Sequence, residues 1–186
     1  MARPTPTDLD AARNRTVPDV LGPGLSVLFS GINPGLWSAA TGLHFARPGN
    51  RFWPTLYRSG FTDRLLGPHE QWTLLEHGLG ITNVAARATA RADELSRAEL
   101  IAGGQVLRTK VELLRPSWLA VVGIGAYRTA FDRPHAVVGP QEESLGATRV
   151  WVLPNPSGLN AHWSAAALAG EFARLREAAG LAAGSG

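Results

Sequence analysis

The first candidate for chemistry is an asparagine held in a turn of glycine and proline, Gly31-Ile-Asn-Pro-Gly35. This turn directly follows a short apolar run, so we expect it to hold Asn33 at the end of a buried strand with its amide projecting. An amide in that position can orient a water molecule or bind the edge of a base. The same residues also form an ordinary tight turn, so the motif alone does not identify a reaction.

Two other segments rich in glycine and proline carry candidate ligand contacts. Segment 41–53 contains Phe45, whose ring could stack on a flat ligand as aromatic rings do on unstacked bases. Core packing is the alternative for that ring. Segment 154–160 carries Leu159 at its tip, where an apolar side chain resembles the wedges that enter base steps. A leucine turned back onto the domain is the alternative.

The composition excludes several kinds of site. The chain has no cysteine, which excludes a disulfide scaffold, a thiolate zinc site and a cysteine nucleophile. Its five histidines form no i, i+4 pair and have no carboxylate at metal-ligand spacing, so we predict no metal and no cofactor. The sequence also lacks a G-x-S-x-G elbow and a Walker A loop, which removes support for a hydrolase triad or an NTPase.

Charge and hydropathy limit the partners and the compartment. The chain has 18 Lys and Arg against 15 Asp and Glu, and its net charge of +3 permits nucleic-acid binding without establishing it. No apolar run approaches the roughly 18 residues of a membrane span. The N-terminus has no apolar segment of a signal peptide. We therefore expect a monomer in the cytoplasm, associated with the nucleoid through any DNA binding.

The elements that must position these residues alternate between strands and helices. The patterns predict strands at 25–30, 80–84, 118–123 and 149–153, and helices at 50–60, 96–114, 125–131 and 164–179. Continuous apolar strands between helices predict an α/β fold, a three-layer α/β/α sandwich with a mostly parallel central sheet. Ligands of such sheets bind beyond the carboxyl ends of the strands, where the candidate segments fall.

The length of 186 residues suits one domain. Residues 1–20 mix Pro, Thr, Asp and Arg without periodicity, so we expect a flexible N-terminal extension. A single domain over 21–180 should follow, and residues 181–186 should form a frayed tail.

Five motifs together resemble the mismatch-specific uracil-DNA glycosylase and thymine-DNA glycosylase family. They are Gly31-Ile-Asn-Pro-Gly35, Asn50-Arg-Phe-Trp53, Gly80-Ile-Thr-Asn83, Ala102-Gly-Gly104 and Val152-Leu-Pro-Asn-Pro-Ser-Gly-Leu159. Each motif is weak, but five in the family's order across residues 22–180 are specific. The resemblance implies the uracil-DNA glycosylase fold and a monofunctional DNA-repair enzyme. Such an enzyme flips uracil out of double-stranded DNA, preferably from a G:U mispair, and hydrolyses its N-glycosidic bond to leave an abasic site.

The resemblance also assigns roles in the base pocket. It implies that Asn33 orients the attacking water. The backbone at Ile32 and Phe45 would contact the edge of the uracil while the Phe45 ring stacks on it. Ser38 matches the position that crowds a thymine methyl group in the uracil-selective branch, and Asn83 lines the same pocket.

The resemblance also implies that the loop after the fourth predicted strand contacts the DNA. Leu159 matches the wedge that fills the space left by the flipped base, and Ser157, Gly158 and Asn160 lie where the widowed guanine is read. Bacterial members of the family have Ser and Arg after the wedge, where this chain has Asn160 and Ala161. Without that arginine, we expect dependence on the opposite base to be relaxed.

Asp93 is one candidate beyond the family pattern. An asparagine amide cannot take a proton from water, whereas a nearby carboxylate could act as a general base or stabilise an oxocarbenium ion by its charge. A solvated loop aspartate beside the capping box of the next helix is the alternative reading of Asp93.

Two other functions stay open on the sequence alone. One is a nucleic-acid-binding module that keeps the base pocket but has little catalytic activity. The other is an α/β protein that acts on a small nucleotide, which Leu159 disfavours because a free nucleotide needs no wedge.

Overall fold

A five-stranded sheet is the middle layer of the computed structural model, which describes residues 3–158 and 160–184. The strands are β1 (Val27–Gly31), β2 (Leu79–Asn83), β3 (Trp118–Val122), β4 (Gly139–Leu145) and β5 (Thr148–Leu153). Their order across the sheet is β2-β1-β3-β5-β4, and all neighbours are parallel except β4, which pairs antiparallel with β5. The predicted, mostly parallel sheet is confirmed.

Helices cover both faces of the sheet. They are α1 (Pro6–Ala11), α2 (Leu36–Thr41), α3 (Phe52–Arg58), α4 (Arg97–Leu114), α5 (Ile124–Ala130) and α6 (Ala165–Ala178), with 3₁₀ segments at Pro68–His77 and Ala92–Glu94. Within the part of the chain that the structure describes, no helix is both long enough and apolar enough to cross a membrane.

The side chains of β1 show how the three layers are joined. Phe29 packs in one cluster with residues of α3 and α6, whereas Leu28 packs in a second cluster with residues of α4 and α5. Every residue of β1 is buried, as expected where both faces of a parallel sheet are covered. The predicted α/β/α sandwich is therefore confirmed.

The predicted strands and helices are all present, with ends within two residues of those expected. The elements that the sequence patterns did not predict are α1, α2, β4 and the two 3₁₀ segments. Strand β4 alternates buried and exposed residues along a polar sequence, as an edge strand does, and so has no continuous apolar run. Helix α2 has six residues and lies between the predicted turn at 31–35 and segment 41–53, and it is too short for a clear period.

The flexible extension predicted for residues 1–20 differs from what the structure shows. Thr5 caps α1 with a capping box, and Val20 exchanges two backbone hydrogen bonds with Ile81 of β2. Ala12 and Val17 are buried against the domain. No local pattern predicts this packing, because the few apolar residues of this stretch are irregularly spaced and contact partners far along the chain.

The tail predicted at 181–186 is also packed as far as the structure describes it. The backbone N–H of Gly184 donates to the carbonyl of Gly60 at 2.9 Å, and Arg176 donates to the carbonyl of Leu181 at 2.6 Å. Residues 181–184 therefore lie against the turn that follows α3.

Two adjacent glycines let α4 pack closely on its neighbours. A Cβ built on Gly103 would lie 2.3 Å from the carbonyl oxygen of Val84, and one on Gly104 would lie 2.3 Å from that of Ala130. These distances are far below a normal contact, and both oxygens belong to the backbone. Helix α4 can reach its place beside α5 only with glycine at these positions.

We predict opposite effects of the same substitution in two helices. Gly104→Ala should lower the free energy of unfolding by about 1–3 kcal/mol, the usual cost of overpacking, despite the higher helix propensity of alanine. Gly170→Ala in α6 is the matched control, because a Cβ there meets nothing within 4 Å. It should raise stability by up to about 1 kcal/mol. Urea denaturation of both variants measures this, and equal effects would contradict the packing account.

Candidate active site

A cleft of about 410 Å³ opens beyond the carboxyl ends of β1, β2 and β3. This is the edge of the sheet where the sequence placed its candidate segments. The predicted residues that line the cleft are Ile32, Asn33, Ser38, Phe45, Asn83, Asp93 and Ser157. Gly158 lies in an adjoining depression beside Pro48 and Gly49. Asn160 does not line the cleft, and Leu159 lies outside the described residues.

The amide of Asn33 is held in one orientation. Its Nδ2 donates to the carbonyl of Arg87 and to the hydroxyl oxygen of Thr89, both at 2.8 Å. The carbonyl can only accept, and the Thr89 hydroxyl already donates to the carbonyl of Arg91 at 2.7 Å. Both acceptors therefore require the amide nitrogen, which fixes the position of Oδ1.

The oxygen of that amide is available to a ligand. No described residue donates to Oδ1 of Asn33, and the atom is not among the buried polar atoms that lack a partner. Because Asn33 lines the cleft, Oδ1 is a free acceptor there. Such an acceptor can bind one hydrogen of a water molecule or an N–H of a ligand.

The ring of Phe45 is fixed by its backbone and by a second ring behind it. Phe45 has φ +52°, a conformation that residues other than glycine seldom adopt, and its ring stacks on Phe52 at 4.0 Å with an angle of 18°. The Phe45 ring packs against the core and also lines the cleft, and its contact with a ligand stays a prediction.

Buried polar contacts hold the loop before Phe45. The side chain of Gln71 accepts from the backbone N–H of His44 at 2.9 Å, and the indole of Trp53 donates to the His44 carbonyl at 3.2 Å. Nε2 of His44 lies 2.9 Å from the carbonyl of Pro18. Burial lowers the pKa of His44, so the neutral ring donates to that carbonyl and serves as a support rather than a charge.

Asn83 and Ser38 line the same cleft as Phe45. A Cβ on Gly31 would lie 2.6 Å from Oδ1 of Asn83 and 3.3 Å from the Phe45 ring, so glycine is needed at the end of β1 for both side chains to fit. Ser38 is buried and its hydroxyl accepts from the backbone of Ala46 at 3.2 Å. The amide of Asn83 makes no hydrogen bond to the described part of the chain and is free for a ligand.

Asp93 lies at the rim of the cleft, with a side chain that is 62% exposed. Both of its carboxylate oxygens accept from the guanidinium of Arg91, one of them from Nε at 3.0 Å. The structure thus places Asp93 beside the site but with its charge paired. Its role in a reaction stays a prediction.

Hydrogen bonds from Arg51 hold the loop after β5 in place. Arg51 donates to the carbonyls of Trp163, Ser157 and Asn160 at 2.7–3.0 Å. The role of Arg51 was not predicted from the sequence, although the residue stands inside the motif Asn50-Arg-Phe-Trp53. Its spacing of more than 100 residues from its partners gave no local signal.

Asn160 and Gly158, which are predicted to contact DNA, also stabilise the loop in which they lie. The side chain of Asn160 donates to the carbonyl of Asn155 at 3.0 Å and accepts from the backbone of His162 at 3.2 Å. A Cβ on Gly158 would lie 2.5 Å from the carbonyl oxygen of Gly49, so this glycine allows the loop to approach the segment before α3. Gly158 is exposed and its neighbour Ser157 half-buried beside the cleft.

Metal ligands do not cluster in this site. Among the residues that the structure describes, no group of three or more His, Asp or Glu side chains is placed to hold a metal ion. The chemistry available from the described residues is that of four asparagine amides, an aromatic ring and a rim of charged side chains.

Comparisons with known proteins agree with this fold. The family model of the uracil DNA glycosylase superfamily matches residues 18–178. The solution NMR structure of a candidate uracil DNA glycosylase from Methanosarcina acetivorans is similar in fold, with a TM-score of 0.60 and 18% sequence identity. That match covers 88% of this chain and 98% of the other. The family match spans most of the sequence and includes every side chain of the cleft, so the chain belongs to the uracil DNA glycosylase superfamily.

Proposed function

We propose that the protein is a monofunctional glycosylase that hydrolyses the N-glycosidic bond of uracil in double-stranded DNA, preferably in a G:U mispair, and leaves an abasic site. The observation that carries this proposal is the Asn33 amide, whose nitrogen is fully engaged and whose oxygen is free in a cleft beside Phe45. The site of action is nucleoid DNA in the cytoplasm, and the protein acts as a monomer.

Base flipping follows from where the site lies. The glycosidic bond inside a duplex cannot reach a cleft formed by the ends of β1 and β2, so the nucleotide must leave the stack. The open face of Phe45 would receive the flipped ring, and the free amide of Asn83 would bind its polar edge. A mispaired uracil costs less to extrude than a paired one, which favours G:U over A:U substrates.

The chain's own residues then position water. With Oδ1 of Asn33 accepting one hydrogen, the water oxygen is held toward the sugar carbon as the glycosidic bond lengthens and the sugar gains oxocarbenium character. The departing uracil carries a negative charge, which backbone N–H groups at Ile32 and Phe45 would stabilise. Donors and acceptors fixed in advance need no reorganisation during the reaction, and this is the main energetic source that we propose.

The surroundings of the cleft suit a DNA backbone. Arg47 lies at the cleft and its exposed guanidinium pairs with no carboxylate of the described chain. A cation in that place can bind a phosphate next to the flipped nucleotide. Ser157 and Gly158 lie beside it, where the widowed base is expected.

A nucleic-acid-binding module with little activity is the second candidate. Membership of the uracil DNA glycosylase superfamily favours the enzyme over this module, and the free oxygen of Asn33 can accept a hydrogen bond from the attacking water. Single-turnover release and binding affinity are measured on three duplexes that differ only in one pair, U:G, U:A or T:G, and on single-stranded DNA. These measurements separate the two candidates. Release of uracil supports a glycosylase, and tight binding without release supports the module.

Asn33→Ala should abolish most uracil release while the Kd for the duplex changes by less than about threefold. The substitution removes the group that positions water and leaves the binding surface in place. Single-turnover rates on a U:G duplex and fluorescence anisotropy measure the two effects. Gln105→Ala removes an exposed amide on α4 and is the control. A variant with the wild-type rate would remove Asn33 from the mechanism.

Asp93→Asn tests whether a carboxylate assists the water or the oxocarbenium ion. If it does, the rate should fall by roughly 10²-fold or more. The control is Glu112→Gln, because Glu112 is exposed on α4, does not line the cleft and forms no ion pair with the described residues. A rate within about twofold of the wild type would assign Asp93 to the solvated surface.

Leu159→Ala should slow uracil release from U:A pairs more than from U:G pairs. A paired uracil costs a few kcal/mol more to extrude, and the proposed wedge offsets part of that cost. Rates on two duplexes that differ only in the opposite base measure this. Equal losses on both duplexes would show that Leu159 is not a wedge.

A further inference from the structure

The backbone that holds the Asn33 amide is itself clamped by one arginine. The carbonyl of Arg87 accepts from Asn33, and the guanidinium of the same residue makes a set of bonds on the other side of the chain. Its Nε donates to Glu99 at 2.7 Å, and its NH1 donates to the side chain of Asn14 at 3.0 Å. Its NH2 donates to Glu99 and to the carbonyl of Glu94, both at 3.3 Å. Arg87 is thus fixed on three sides.

The acidic partner of that arginine is a rigid anchor. Glu99 stands in the first turn of α4, and its carboxylate also accepts from the backbone and hydroxyl of Ser96 at 2.9 Å. Hydrogen bonding to Arg87 and Ser96 lowers the pKa of Glu99 to about 2. The carboxylate is therefore charged throughout the neutral range, and the clamp is complete wherever the enzyme would be assayed.

The N-terminal segment completes the support. Asn14 donates from its backbone to the carbonyl of Ala88 at 3.0 Å, and Ala88 donates to the carbonyl of Arg15 at 2.9 Å. Ala12, Val17 and Ala88 form a small buried cluster beneath these bonds, together with Ala39 of α2. Residues 12–17 therefore pair with the stretch 87–89 as a short ribbon, directly behind the two groups that hold Asn33.

We propose that Arg87 and residues 12–17 are a positioning unit for Asn33, and that the N-terminal segment is in this sense part of the active site. This inference rests on the proposed function. If the unit is loosened, the carbonyl of Arg87 and the hydroxyl of Thr89 no longer select one orientation of the amide. Water is then held in the productive position for a smaller share of the time, while the surface that meets DNA is unchanged.

A double-mutant cycle on the full chain tests the proposal. Arg87→Ala should reduce the single-turnover rate on a U:G duplex by roughly 10- to 100-fold, the scale expected when a reacting group is misplaced by up to about 1 Å. The Kd for the same duplex should stay within about twofold. In the Asn33→Ala background, Arg87→Ala should have no further effect, because groups that act as one unit are not additive.

Two further variants keep the test decisive. Asn14→Gly removes only the side-chain acceptor of Arg87 and suits the φ of +64° at this position, so the fold should survive. It should also lower the single-turnover rate, by a smaller factor than Arg87→Ala. Arg133→Ala removes an equivalent arginine–glutamate pair, with Glu143, and should leave the rate unchanged.

The outcomes separate the inference from the proposed function. An Asn33→Ala variant with the wild-type rate would overturn the proposed function. If Asn33→Ala is impaired but Arg87→Ala and Asn14→Gly lower the rate equally in both backgrounds, these residues act only on general stability and the positioning unit is overturned. A rate loss that occurs only when Asn33 is present and is absent from the Asn33→Ala background, with unchanged Kd, supports the positioning unit. Wild-type rates in both variants would also overturn it.

Discussion

The arrangement of this protein depends on the two hydrogen bonds that fix the carboxamide of Asn33. Both acceptors, the Arg87 carbonyl and the Thr89 hydroxyl, need an N–H, so the oxygen is forced toward the cleft. An amide without such partners would rotate, and its oxygen and nitrogen would exchange places. Polar groups aimed in advance at the reacting atoms are the most effective contribution that a protein makes to catalysis. In the proposed reaction, that contribution depends on these two bonds.

The fold supplies the places for these groups, and close backbone approaches bring them together. Parallel strands end at the same edge of the sheet, which brings Asn33 and Asn83 to one cleft. Glycine at position 31 leaves room there for the Asn83 amide and the Phe45 ring. Arg51 ties the loop after β5 to the start of α3. The pocket is thus formed from segments far apart in sequence, each held by a small number of buried polar contacts.

Local signals were sufficient for the parts of the fold that follow local rules. Continuous apolar runs predicted four strands, the Ser96 capping box predicted the start of α4, and the turn at 31–35 predicted where Asn33 would lie. Contacts between distant segments were not predictable. Asn14 reaches Arg87 across 73 positions, and Arg51 reaches its carbonyls across more than 100. The N-terminal stretch appeared flexible because its stabilising partners lie in another part of the chain.

The side-chain dynamics of Asn33 in the protein without DNA test the central claim most directly. In ¹⁵N relaxation experiments, the amide of Asn33 should have an order parameter near the value of rigid backbone, about 0.85, and its protons should exchange slowly. The amide of Asn83, which has no hydrogen bond to the described residues, is an internal reference and should fall below about 0.6. An Asn33 amide as mobile as that of Asn83 would contradict the account.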